Sequence, residues 1–227
     1  MIEVDAVVLA AMGQEMTAFE ERSDALGRAS LLGQASVRLA TFGGSHVLLV
    51  TSGIGLVNAA VATTLAVSAC RPRAVLSAGS AGGLHQQVAV GDVVAGSSYS
   101  FAGADARIFG YALGQVPGMP ASYPGDPDLL ARVAAAGSRV RRGPVISGDC
   151  FVDGSSVDRV RASFPDALAT DMESAAIAQT CHLLGVPFVS VRAISDLCGP
   201  QAGAEFHIAV EDAASRSADV ALALLSA

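Results

Sequence analysis

Apolar residues along this chain gather in short runs separated by glycine-rich breaks. Runs at 5–10, 36–42, 46–51, 74–78, 92–99, 144–147, 167–170 and 188–194 read as strands. Most are β-branched and lack a clean apolar–polar alternation, the pattern of strands covered on both faces. Stretches 56–70, 126–138, 155–163, 173–184 and 205–225 read as helices between them. The alternation predicts an α/β protein with a mixed, largely parallel sheet flanked by helices. Residues 110–127 hold four prolines and four glycines and are predicted to form a long irregular loop. With no linker, repeat or low-complexity segment in view, residues 1–227 are expected to form one domain.

Composition narrows the chemistry. All 14 basic residues are arginine, against 21 acids, giving a net charge of −7. Without lysine there is no phosphate-loop lysine, Schiff-base lysine or kinase-type lysine. The acidic balance with scattered arginines argues against a nucleic-acid surface. Residues 39–70 carry no charged side chain, but Gly43-Gly44-Ser45-His46, Thr51-Ser52-Gly53 and Asn58 break the run. It therefore reads as strand, loop and helix, not as a membrane span, which needs about 20 apolar residues in succession. Cysteines 70, 150, 181 and 198 have no CxxC spacing, so free thiols in a reducing cytoplasm are expected and no metal site. Glu3 and Asp5 near the start do not suit a secretory signal.

Several motifs have both a functional and a structural reading. Ser77–Gly83 (SAGSAGG) follows a predicted strand, where glycines let backbone N–H groups approach a ligand. It matches neither a dinucleotide fingerprint nor a GxSxG elbow. A serine hydrolase would also need a late histidine, for which only His182 and His207 qualify, and His182, on a predicted helix, reads better as a core residue. Ser52-Gly53-Ile54-Gly55 is either a tight helix-starting turn or a ligand-facing loop.

Four acids sit among apolar or small neighbours: Glu15, Asp149, Glu173 and Asp196. Carboxylates are rarely buried unless paired or used. Glu173 could simply favour a helix N-terminus. Yet Glu15, Glu173 and Asp196 all fall just past predicted strand ends, where open α/β sheets bind ligands. Together with Arg192 they suggest acid–base chemistry. Cleaving a glycosidic bond needs an acid on the leaving group and a base on water. A purine leaves far better once protonated, and a carboxylate can accept both hydroxyls of a ribose diol.

The motifs in order are Ala11-Met12…Glu15, Ser52–Gly55, Gly79–Gly83, Val90-Gly-Asp92, Phe109-Gly-Tyr111 with Gly114–Pro117, Ile146–Phe151, Asp171-Met-Glu173 and Arg192–Asp196. In this order and spacing the chain resembles the 5′-methylthioadenosine/S-adenosylhomocysteine nucleosidases of the nucleoside phosphorylase/nucleosidase superfamily. The resemblance implies that family's fold, a single α/β domain with a partly barrel-like, mostly parallel mixed sheet. It implies that Asp196, assisted by Ser195, protonates N7 of adenine, and that Phe151 stacks on the base while the backbone of Val152 reads its edge. Glu173 and Met172 would hold the ribose. Glu15 would activate water positioned by Ser80 and Arg192. Phe206 would line the 5′-thio pocket, with Ile54 and Gly82 also lining the site. Tyr111 and Pro117 would reach into the site of a second subunit, since the family is typically dimeric. No cofactor is implied.

The chain departs from the family pattern at Asp171, where glutamate is more usual, at Phe101-Ala-Gly103, and at Cys198–Ala204. The last segment closes over the site in relatives, which bears on substrate preference. A phosphorylase would want arginines near the first loop and the glycine motif. None lies between Arg38 and Arg71 or between Arg73 and Arg107, and Glu15 would repel phosphate. Hydrolysis is therefore favoured over phosphorolysis. An aminofutalosine hydrolase of the same family would use the same carboxylates, and a non-catalytic nucleoside sensor should have lost Glu15 or Asp196.

Overall fold

The computed structural model describes residues 2–133 and 139–225. The chain runs β1 (Ile2–Ala10), α1 (Gly13–Glu20), β2 (Ala25–Leu26), β3 (Ser30–Leu32), β4 (Ala35–Phe42), β5 (Ser45–Thr51) and α2 (Leu56–Ala69). It continues with β6 (Cys70–Gly83), β7 (Val93–Phe101), a 3-10 turn (Arg107–Phe109), β8 (Tyr123–Pro124), α3 (Pro127–Val133) and β9 (Val140–Ser147). The last elements are α4 (Val157–Ser163), β10 (Ala169–Asp171), α5 (Ser174–Leu184), β11 (Phe188–Asp196) and α6 (Ala202–Leu225).

One mixed sheet has the order β10-β9-β7-β11-β6-β1-β5-β4-β2, and β10 returns to pair with β6. That second pairing closes β6, β11, β7, β9 and β10 into a barrel, with β1, β5 and β4 extending from it. The central ladders β5–β1, β1–β6 and β6–β11 are parallel, while β4–β5 and β7–β11 are antiparallel. This is the α/β, partly barrel-like mixed sheet expected from the sequence.

Both faces of the sheet are covered, which explains the missing alternation. Val7 and Leu9 of β1 pack into one core, with Ala59, Ala62 and Ala66 of α2 and Ala175 to Ala178 of α5. Val8 and Ala10 face a second core, with Met16 and Phe19 of α1, Leu129 of α3 and Ala213 to Ala221 of α6. Successive strand residues point to opposite faces. Both faces are apolar, so the period of two disappears from the sequence.

The elements differ from expectation in several places. Residues 13–20 form a helix that carries little apolar periodicity of its own; Glu15 reaches back to accept the Met12 N–H at its N-terminus. The SAGSAGG stretch does not follow the predicted strand 74–78 but continues it, as the last half of β6. Its small residues hide a strand that bends into the barrel. The predicted helix 126–138 is seen over Pro127–Val133; residues 134–138 lie outside those described. The proline-rich 110–127 segment is irregular, except where Tyr123-Pro124 pairs with β7. His182 is exposed, not in the core, and stacks obliquely near Tyr123.

Candidate active site

A cleft of about 700 Å³, mouth included, opens where β1, β6 and β11 end and β10 meets β6. Its walls include Met12, Glu15, Ile54, Ser80, Gly82, Phe151, Val152, Met172, Glu173, Ser195, Asp196 and Phe206. Eleven of the fourteen site residues named from the sequence therefore line one cavity. The three acids come from three places in the chain: the first turn of α1, the β10–α5 junction and the end of β11. Each is at most 4% exposed.

Glu15 is held by four donors. One carboxylate oxygen accepts the N–H groups of Ala11 (3.0 Å) and Met12 (3.2 Å), and the other accepts the N–H (2.8 Å) and hydroxyl (2.9 Å) of Ser80. Gly79 makes this approach possible: a Cβ there would collide with the Glu15 carboxylate and with Nη1 of Arg192. The glycine motif thus accommodates the protein's own side chains. Ser80 bonds to Glu15, which leaves the serine-hydrolase reading without support.

Glu173 is the residue preceding α5, but its carboxylate makes no capping bond. It turns away to accept the Gly55 N–H at 3.0 Å and lies 3.4 Å from Arg192. Gly55 adopts φ +106°, a conformation that favours glycine, and presents that N–H at the start of α2. The cap is supplied by Asp171, which accepts the N–H groups of Glu173 (3.2 Å) and Ser174 (3.1 Å). Burial pushes the Glu173 carboxyl up to about 7; Arg192 opposes this, and Asp171 and Glu15 add to it.

Arg192 is where expectation and structure part. It does not line the cleft but lies beneath it, 1% exposed. Its Nε is 2.8 Å from Asp171, and its Nη2 donates to Ser77 at 2.8 Å. It is primarily the counter-ion of Asp171 and Glu173; burial alone would favour its neutral form, but those carboxylates keep it charged. Asp171 also accepts hydrogen bonds from Ser147 (2.5 Å) and Ser174. Asp171, at the cleft wall, joins Ser77, Ser147 and Ser174 in a buried polar network beneath the site, and the three serines went unnoticed in the sequence. The only signal was an aspartate three residues before Ser174, an N-capping spacing.

Asp196 ends β11. One oxygen accepts the Ser195 hydroxyl at 2.9 Å and the other the Cys198 N–H at 2.9 Å. The Cys198 thiol fills the wall beside Gly82, where a Cβ would strike its sulfur. Burial, with nearby Asp196, pushes that thiol up to about 12, so it is a wall group and not a nucleophile. At the mouth the rings of Phe151 and Phe206 meet edge to face, 6.3 Å apart. Asp149 is structural: it accepts the Leu56 N–H at 2.8 Å and pins the β9–α4 loop to α2. Tyr111 is half-buried and Pro117 exposed, and neither lines the cleft of its own chain. Among the described residues no group of acids, histidines and cysteines is placed to hold a metal, and no helix is long and apolar enough to cross a membrane.

A cluster of buried carboxylates lining a cleft at one end of a barrel-like α/β sheet is the arrangement expected of an enzyme that cleaves nucleosides. The sequence model of the phosphorylase superfamily matches residues 5–226, and the chain belongs to that family. The 5′-methylthioadenosine/S-adenosylhomocysteine nucleosidase of Chromohalobacter salexigens is 48% identical over 181 residues, 77% of each chain. That of Bacillus subtilis is 37% identical over 224 residues, 96% of each. Among solved structures, the Neisseria meningitidis nucleosidase in complex with methylthio-immucillin-A superposes with a TM-score of 0.91 at 38% identity, covering 96% of this chain and 97% of that one. The Colwellia psychrerythraea nucleosidase in complex with adenine superposes with a TM-score of 0.94 at 32% identity, covering 99% and 96%.

Proposed function

We propose that this chain, as a single domain, hydrolyses the N-glycosidic bond of 5′-methylthioadenosine and S-adenosylhomocysteine, releasing adenine and the 5′-thioribose product. One observation carries hydrolysis over phosphorolysis. Among the described residues the cleft is walled by four carboxylates, Asp171 included, and by no arginine. A phosphate co-substrate would find no cation on that wall to hold it, and Glu15 facing it. Water meets a base.

In this reading adenine stacks on Phe151, the Val152 backbone reads its edge, and Asp196 delivers a proton to N7. The ribose hydroxyls donate to Glu173 beside Met172. Glu15, its carboxylate fixed by Ser80, removes a proton from the water that attacks C1′ as the bond to adenine breaks. Arg192 supports Glu173 from below. The 5′-thio group extends past Ile54 toward Phe206.

The exposed apolar side chains Val57 and Val61 of α2, and Ile108 and Phe109 of the 3-10 turn, support a homodimer, with Tyr111 and Pro117 contributed to the neighbouring site. The four free cysteines suit a cytoplasmic protein. The Helicobacter pylori futalosine hydrolase, 25% identical with a TM-score of 0.92, keeps open a related substrate. The test is adenine release from 5′-methylthioadenosine, S-adenosylhomocysteine and aminofutalosine, each with and without phosphate. Equal rates with and without phosphate on the thio-nucleosides are expected. Strict phosphate dependence would overturn hydrolysis, and turnover of aminofutalosine alone would move the substrate assignment.

A further inference from the structure

The peptide group between Leu197 and Cys198 is gripped at both ends. Its N–H donates to one oxygen of Asp196 at 2.9 Å. Its C=O accepts from Nη2 of Arg161, the fifth residue of α4, at 3.1 Å. The same guanidinium donates through Nε to the carbonyl of Leu84, just past the end of β6, at 2.7 Å. One arginine therefore ties the exits of β6 and β11 together with its planar fork. Cys198 is the only non-glycine residue at positive φ among the described residues, at +57°. Such a conformation persists when its surroundings over-determine it. Those surroundings are visible: Gly154 donates its N–H to the Gly199 carbonyl at 3.1 Å, and Gly154 has no Cβ to strike Pro200.

We propose that Arg161 is a positioning residue for the general acid: through the Leu197–Cys198 peptide it aims and strengthens the backbone N–H that holds Asp196. A cation at the carbonyl end of a peptide polarises it and makes its N–H a better donor, and linked hydrogen bonds reinforce one another. Ionised Asp196, left behind when the proton reaches the base, is then held by two donors, Ser195 and Cys198. Among the described residues, Arg161 and Asp153 from the α4 region face this turn beside Asp196 and Cys198, and Glu15, Asp171 and Glu173 face Asp196 across the cleft. This inference rests on the nucleosidase reading above.

The test compares Arg161→Gln and Arg161→Lys with Arg159→Gln, which removes the same charge from the same helix. Adenine release from 5′-methylthioadenosine is measured across pH, and thermal unfolding reports folding. For Arg161→Gln, kcat is expected to fall about tenfold, the worth of one charge-assisted bond, with KM changed less. The alkaline limb of its kcat/KM profile, where the general acid loses its proton, moves to higher pH, because the ionised form has lost support. Arg161→Lys recovers part of the rate, and Arg159→Gln matches the parent. A fall in stability or rate with the limb unmoved would overturn the inference and leave Arg161 a loop staple; an unchanged rate would do the same. If Arg161→Gln does not fold, the Arg161→Lys limb decides in the same way. Inactivity of the unmutated protein would instead strike the nucleosidase reading.

Discussion

In the proposed mechanism Asp196 and Glu173 carry opposite tasks with the same functional group, and their surroundings differ accordingly. Asp196 accepts from the Ser195 hydroxyl on one oxygen and from the Cys198 N–H on the other. Asp196→Asn preserves the shape and removes the acid. A loss of about 10²–10⁴ in kcat is expected, the usual range for a general acid, with ligand affinity retained. Steady-state adenine release and binding of an unreactive nucleoside analogue check the two parts. Glu173 is buried over an arginine, yet its carboxyl is raised to about 7. Only its ionised form accepts both ribose hydroxyls, so KM is expected to rise as pH falls below about 7, and Glu173→Gln should abolish that dependence. The same shift has a stability sign. A carboxyl that binds its proton more tightly when folded contributes stability that is full below the unfolded value and lost as pH rises through about 7. Denaturant midpoints between pH 5 and 8 should slope downward less in Glu173→Gln than in the parent.

At the scale of elements, the site depends on how closely β6, β10, β11 and α5 approach one another. Asp171 and Arg192 join β10 to β11 at 2.8 Å, with both side chains about 1% exposed. Removing Asp171 leaves the buried Arg192 with only the longer contact to Glu173, at 3.4 Å. Asp171→Ala is expected to cost about 3–5 kcal/mol of stability, read from chemical unfolding, while Asp171→Glu should cost far less if the serines can readjust. Gly79→Ala would drive a methyl group into Glu15 and Arg192 and is expected to lose most activity. These approaches mark the limit of what the sequence made legible. Strands such as β1, β5 and β11 announce themselves because long β-branched runs have few other fates. The acids stood out because charge is rare in apolar surroundings. The extent of β6 was hidden because alanine, glycine and serine have no strand signature. Arg192 was misplaced because a motif locates a residue at a strand but not above or below the cleft floor. Arg161 went unnoticed because its significance lies in two carbonyls, at Leu84 and Leu197, far from it in sequence.

At the scale of the molecule, the outer face of α2 is the feature a lone chain leaves unexplained. Val57 is 72% exposed and Val61 51%, one helical turn apart, while their helix buries alanines on its inner face. Ile54, half exposed, sits before the same helix and also forms part of the cleft wall. A surface that covered Val57 and Val61 would therefore reach the edge of the active site. The 3-10 turn adds Ile108 at 89% and Phe109 at 78% exposure, two residues before Tyr111. Apolar side chains this exposed are expected to be covered in the working assembly. Light scattering coupled to size exclusion should give twice the chain mass. Val57→Glu with Val61→Glu should shift the protein toward the monomer, because burying two carboxylates in an apolar contact is costly. If the neighbour supplies Tyr111 and Pro117, activity should fall with dilution of that variant and recover at high protein concentration. A monomeric parent with full activity would separate the catalytic triad, which one chain completes, from the dimer, which it would then not need.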